Sequence, residues 1–301
     1  MIRSDLYYGV QFAQSLYLLL WQCGRIDEIA DRVFAGGNEI EVSYLGETYR
    51  GQEAVRGFFG EMQERTRRLG GFYRMDMPAG QHIEEKEDGT AAGYYITMSK
   101  ALVPSPDGEL CCTGIGRFTN RYCEERGIWK LQSVRFELLE EFQPSAATPD
   151  RNLEQYKRSP GEYIKDIPEL RPLSLEGVTE ETAEILSLRN EIFSWFRRFN
   201  EGEETQSVFP CRNEAACGQI VKELQSCRYI LATSPVIRMN EDLSGAEAFY
   251  SASALEAHSA DALTDVRGSY FMRLTKKGGK WEIASFSWYP AASLEPWKLN
   301  A

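Results

Sequence analysis

The sequence predicts two α+β domains in tandem, each a curved antiparallel sheet wrapped around N-terminal helices. Three observations carry that prediction: an internal repeat in strand-like sequence, a helical apolar stripe that opens the chain, and a proline-rich break between the two copies.

In the repeat, Gly116-Arg-Phe-Thr-Asn-Arg121 and Gly127-Ile-Trp129-Lys-Leu-Gln-Ser133 correspond to Gly268-Ser-Tyr-Phe-Met-Arg273 and Gly279-Lys-Trp281-Glu-Ile-Ala-Ser285. Every matched pair is 152 positions apart, Pro144 and Pro296 included. Each copy reads as strand, tight glycine turn, strand, with Trp-x-(Leu/Ile) placing two large apolar groups on one strand face. Upstream, Tyr94-Tyr95 matches Phe249-Tyr250 at a spacing of 155, so the second copy carries a loop three residues shorter. The break holds Pro144, Pro149, Pro160, Pro168 and Pro172 and interrupts every apolar period. The expected boundaries are a first domain at 1–144, a linker at 145–174 and a second domain at 175–301. Tyr156, Tyr163, Ile164 and Ile167 give the linker something to bury, so it is expected to pack on a domain.

Element by element, Leu6, Val10, Ala13, Tyr17, Leu20 and Trp21 fall on one helical stripe, and Gly24 stops that helix. Ile26, Ile29, Ala30 and Val33 face inward from a second, short helix. Glu39–Tyr44 and Glu47–Arg50 form a hairpin around Leu45-Gly46. A third helix opens after Gly51, buries Val55, Phe58, Phe59 and Met62, and closes on Arg65-Thr66-Arg67-Arg68, whose cations complement the negative helix end. Strands at about 79–86, 90–103, 110–123 and 128–140 complete the copy. Helices first and sheet after is an α+β order.

Several function classes are excluded by composition. The 301 residues carry 34 basic and 45 acidic side chains, and a net charge of −11 repels phosphate backbones and anionic lipid. Neither nucleic acid nor membrane is an expected partner. The longest apolar stretch, Leu16–Trp21, is far short of a membrane helix, and the first residues lack the pattern of a secretory signal. Seven cysteines without a C-x-x-C and only two histidines, His82 and His258, leave no metal-ligand spacing. Adjacent Cys111 and Cys112 point to opposite faces of a strand and read as thiols, which suits a reducing cytoplasm. No metal and no cofactor is expected.

The order of elements, together with Cys23-Gly-Arg-Ile-Asp-Glu-Ile29, Thr48-Tyr-Arg-Gly51-Gln-Glu-Ala-Val55, Asp88-Gly-Thr-Ala-Ala-Gly93, Gly116-Arg-Phe118 and Gly127-Ile-Trp129-Lys-Leu131, resembles the SnoaL-like group of the nuclear transport factor 2-like superfamily. The resemblance covers nearly all of 1–144. It covers about 180–297 in the second copy, where Phe209-Pro-Cys-Arg-Asn-Glu214 runs almost directly into Ala216-Cys-Gly-Gln-Ile-Val221 and leaves little room for a first hairpin. It implies two cystatin-like cones, the second degenerate, each with an apolar interior. Dehydratase-like relatives use a His near the start of the third strand with an Asp on the next, helped by a Tyr on helix one and an acid after it. Tyr17 matches the helix-one Tyr, but the other positions fall at Gln22, near Ala79 and near Ser99, and the second copy offers Ser234 and Ala254 for the strand pair. A slip of a residue or two brings in Asp76 or His82.

The catalytic candidates are therefore Tyr17 and Asp76, since an enclosed acid is the group type that accepts protons in such a pocket. The ligand-contacting candidates are Trp21, Phe58, Phe59, Tyr73, Tyr95 and Arg117. His82 on a strand and His258 in a polar loop read as structural. Three functions stay open: a lyase or isomerase working on a small hydrophobic ring-type molecule, a non-catalytic binder of such a molecule, and a structural or interaction module. In the last, the two copies pack as an intrachain pseudo-dimer. A further homodimer is compatible with each.

Overall fold

A computed structural model describes residues 3–68, 73–105, 108–142, 145–146, 167–172, 179–233, 236–259, 262–293 and 297–298. The chain divides into two compact units. The first comprises Asp5–Met77 and Ile83–Leu175; the second comprises Met1–Ser4, Pro78–His82 and Glu176–Ala301.

The first unit opens with α1 (Ser4–Gln22), whose predicted stripe is buried from Leu6 through Trp21. Gly24 adopts φ +65, and the Gly24 and Arg25 amides donate back to Trp21 and Leu20, closing the helix with a left-handed cap. A 3-10 turn at Ile26–Glu28 and the short α2 (Ile29–Arg32) bury Ile26, Ile29 and Ala30 as expected. The hairpin of β1 (Glu41–Tyr44) and β2 (Glu47–Arg50) turns at Leu45-Gly46, both with positive φ, and α3 (Gln52–Arg68) ends on the basic run.

The strands are β3 (Tyr73–Glu85), β4 (Ala91–Ser105), β5 (Gly108–Glu125) and β6 (Ile128–Glu141), with β7 (Ser145–Ala146) added to β5. β3 begins at Tyr73 rather than 79, because Pro78 and Gly80, at φ +66, break the alternation that the sequence pattern relies on. The sheet order is β2-β1-β6-β5-β4-β3. β1 pairs parallel to β6, Glu41 to Ser133 through Tyr44 to Phe136, so β6 is an interior strand. Of the linker, 145–146, which forms β7, and 167–172 are described. Ile167 is buried, and Arg32 donates to the carbonyls of Ile167 (2.9 Å) and Pro168 (3.1 Å) and pairs with Glu169. That stretch packs on the first unit, as its apolar residues require.

The second unit starts with α4 (Glu180–Asn200), capped by Thr179, whose hydroxyl accepts from the Thr182 amide. Gly202 repeats the closure of Gly24: the Gly202 and Glu203 amides return to Phe199 and Arg198. α5 (Thr205–Val208) and α6 (Glu214–Leu224) follow, the latter capped by Asn213 on the Ala216 amide. The strands β8 (Cys227–Ala232), β9 (Val236–Met239), β10 (Gly245–Ser259), β11 (Ala262–Lys277), β12 (Lys280–Ser293) and β13 (Trp297–Lys298) form a sheet ordered β12-β11-β10-β8, with β9 on β10 and β13 on β11.

The repeat holds in register. Tyr95 faces Phe118 across β4 and β5, and Tyr250 faces Tyr270 across β10 and β11. An isolated parallel bridge joins Phe34 to Leu131 in the first unit and Cys211 to Ile283 in the second. Asn200 locks α4 to β8 through two bonds with Ile230, and Glu184 accepts from Trp281 Nε1 (3.0 Å) and Lys276 Nζ (2.7 Å). Around these ties, Phe193, Phe196, Phe209, Tyr250, Tyr270 and Phe286 fill the core, each worth about 1.5–3 kcal/mol when fully buried. No described helix is long and apolar enough to cross a membrane.

Candidate functional site

The face of the first sheet that meets α1 is set by alternation. Tyr95, Thr97 and Ser99 on β4 point to one side, and Phe118, Asn120 and Tyr122 on β5 point with them. Phe118 reaches Tyr17 of α1 edge to face at 6.1 Å, which identifies that side as the interior.

At its center the interior is walled by rings. Tyr17, 1% exposed, meets Trp21 (6.5 Å), Phe59 (6.4 Å) and Phe118, all edge to face. Trp21 stacks on Tyr44, and Tyr44 stacks on Phe136 at 5.2 Å. Phe58 and Phe59 touch at 5.0 Å. The structure thus brings together Tyr17, Trp21, Phe58 and Phe59, largely as mutual packing partners.

At one end the interior is polar and hydrogen-bonded, with Gln14 Nε2 and Asn120 Oδ1 buried without a hydrogen-bond partner. The Tyr95 hydroxyl lies 2.9 Å from that of Tyr122, Tyr122 donates to Gln14 Oε1 (2.8 Å), and Asn120 Nδ2 donates to the same oxygen (2.7 Å). Burial pushes the Tyr122 hydroxyl well above the usual phenol range, so it stays a donor. Tyr95 spends its hydroxyl on this chain of bonds, and its ring is what it offers to the interior.

Farther along the same face, Ser99 Oγ donates to Asp76 Oδ1, joining β4 to β3. Asp76 is 3% exposed. The hydroxyl of Thr97, two residues before Ser99, is also buried. Asp76 and Ser99 therefore form a polar pair across β3 and β4; Ser99 is the position the resemblance gives to the strand Asp, and Asp76 lies three residues before Ala79, the position near which it puts the His.

Arg117 is not part of this group. Its position alternates with Phe118, which turns it to the other side of β5, where it donates twice to Glu137 Oε2 (2.7 and 3.1 Å). The expectation that it contacts an interior ligand is corrected by the parity of the strand. The pairing holds the Glu137 carboxyl below its usual range. Tyr73 begins β3, and its side chain lies outside the described residues, as does that of His258. His82 Nδ1 is 3.3 Å from the Asn190 carbonyl, within the second unit, which fits a structural residue. Among the described residues no three His, Cys, Asp or Glu side chains cluster to hold a metal ion.

Sequence reasoning did not single out a cleft of 580 Å³ in the second unit, lined by Glu191, Trp195, Arg198, Phe209, Cys211 and Cys217 among others. Burial, and then the Glu184 charge, push the Glu191 carboxyl above its usual range. Arg198 is bound to Glu203. The signal in the sequence was the shortened Phe209–Val221 stretch itself, which removes the hairpin that covers this corner of the first unit.

No family model matches the chain, and no curated protein matches it. Solved structures of similar shape include Aln2 from a Streptomyces species, at 19% identity over 46% of this chain and 94% of that one, TM-score 0.36. A protein with a cystatin-like fold from Caulobacter vibrioides aligns at 13% identity over 50% and 96%, TM-score 0.37. A dehydratase candidate of the NTF2-like family from Streptomyces avermitilis aligns at 16% identity over 45% and 97%, TM-score 0.39. At these identities and scores the similarity assigns no activity to this chain.

Proposed function

We propose that the first unit binds a small hydrophobic ring-type molecule on the interior face beside Asp76, and that Asp76, oriented by Ser99, is the group that accepts a proton there. The observation that carries the reading is a buried carboxylate held by a hydroxyl from the neighboring strand, on the same face as the Tyr17, Trp21 and Phe59 rings. Aromatic walls favor planar apolar ligands through offset and edge contacts. A single enclosed carboxylate is enough for proton abstraction beside a carbonyl or for assisting loss of water. This is lyase or isomerase chemistry of the simplest kind. Tyr17 shapes the wall.

The test is the melting temperature of the full chain against steroids, bile acids, flavonoids and polyketide-like aromatics, with native mass spectrometry for retained ligand. A ligand at a hundred times its dissociation constant stabilizes the folded state by about 2.7 kcal/mol, a shift of several degrees. The expected result is a stabilizing compound whose effect is lost in Phe59→Ala. Asp76→Asn should bind that compound and fail to turn it over. The closed contacts of Tyr17 with Trp21, Phe59 and Phe118 favor a second reading, a packed structural module. That reading predicts no shift with any compound and no retained mass.

A further inference from the structure

We infer that Cys211 and Cys217, in the cleft of the second unit, form a dithiol modification site that closes to an intramolecular disulfide by exchange with a small disulfide. Both side chains line the cleft and both are partly exposed, so a small reagent has a route to them. They stand on the wall of one cleft, and Cys217 is near enough to Cys211 to raise its thiol.

Each sulfur is carried by an anchored piece of backbone. The residues on either side of Cys211 are tied to β12: the Ile283 amide donates to Pro210 O (2.7 Å), and the Arg212 amide donates to Ile283 O (2.9 Å). The Cys211 thiol itself donates to Phe209 O at 3.3 Å. Cys217 sits in the first turn of α6, its amide bonded to Asn213 O (3.1 Å), and Asn213 caps the helix. Only two residues, Arg212 and Asn213, separate the bridge at Cys211 from the start of α6. Both cysteines thus stand on anchored backbone at the wall of one cleft.

The Cys211 thiol is engaged with Phe209 O and is pushed up by burial, so Cys217 is assigned as the attacking sulfur. The Cys217 thiolate attacks one sulfur of the external disulfide and expels one small thiolate, leaving a mixed disulfide on Cys217. Cys211 gives up its proton to solvent and attacks the Cys217 sulfur, expelling the second small thiolate. Each expelled thiolate is protonated. One external sulfur–sulfur bond is broken and one protein bond is formed. The two protein thiols lose two electrons in total, which the external disulfide gains. Cys23 and Cys227 are likewise pushed up by burial and neither lines this cleft, so they are not expected to supply the attacking sulfur.

The experiment exposes the full chain to oxidized and reduced glutathione at fixed ratios, then quenches, alkylates, digests and maps the peptides by mass. The wild type is expected to show a Cys211–Cys217 cross-link with the loss of two hydrogens and no retained glutathione. Cys211→Ser should trap glutathione on Cys217, and Cys217→Ser should leave Cys211 largely unmodified. A second readout is phenylarsine oxide, whose arsenic bridges two adjacent thiols with loss of water. One equivalent should bind the wild type, and either serine variant should lose that binding. The inference is overturned if the wild type carries glutathione on both cysteines without a cross-link, if both stay alkylatable at every ratio, or if arsenical binding survives in the variants.

Discussion

At one corner the two units are built alike and then part. In the first, the chain leaves the Phe34–Leu131 bridge, makes the β1–β2 hairpin and enters α3 at Gln52; in the second, it leaves the Cys211–Ile283 bridge and enters α6 at Glu214. In the first unit Ser133–Phe136 of β6 is paired by β1, and Phe136 is stacked under Tyr44. In the second, the matching Ser285–Trp288 lies on β12 at the end of the sheet order, and Trp288 stacks on Tyr270 at 4.3 Å instead. One deleted hairpin thus turns an interior strand into an edge, and the second unit carries a cleft lined by Trp195 and two thiols. The interior of the first unit keeps its rings packed and its carboxylate enclosed. A duplicated fold can therefore keep its register while the accessible chemistry of its copies separates.

Substitutions at matched positions sharpen the comparison. The largest effect is expected at Gly268, where a Cβ would stand 2.3 Å from the Tyr289 backbone oxygen; Gly116, its counterpart, would meet the Phe136 ring at 2.3 Å. Gly268→Ala should cost about 2–3 kcal/mol and Gly116→Ala about 1–2 kcal/mol, because a ring can shift and a paired strand cannot. Denaturant unfolding of both variants checks the order, and a larger loss at Gly116 would contradict it.

A smaller effect is expected at Glu191. Its folded carboxyl titrates above the usual value, so the folded state holds its proton longer than the unfolded chain does. The stability linked to that proton is full below the ordinary carboxylate value of 4.5 and is lost as pH rises through the raised value. Glu191→Gln should therefore raise the melting temperature at pH 7.5 by about 1–3 °C and leave it unchanged at pH 4. A gain at both pH values would point to a cause other than titration. The smallest effect belongs to Arg117, whose pairing with Glu137 is partly exposed; Arg117→Ala should change stability by about 0–1 kcal/mol and leave ligand binding unaltered. Lost binding in that variant would return Arg117 to the site.

Much of this architecture was legible because it rests on periodicity. The stripe from Leu6 to Trp21, the turn at Leu45-Gly46 and the repeat around Trp129 and Trp281 each state a local geometry that tertiary packing then keeps. The start of β3 was not legible, since Met75-Asp-Met-Pro78 and the left-handed Gly80 interrupt the alternation. The Asp76–Ser99 pair was visible only as two separate residues, because a contact between neighboring strands depends on register. The side that Arg117 faces follows from its parity with Phe118, and there it pairs with Glu137. The cleft escaped because it comes from missing residues, although both of its cysteines stood inside the shortened segment.

The most direct test of the separation between the two units is amide hydrogen exchange on the full chain with and without a saturating ring compound from the panel. The account predicts added protection in β3 and β4 around Asp76 and Ser99 and in α1, with Thr205–Leu224 unchanged. Protection confined to Thr205–Leu224, or no change with any compound, would contradict it.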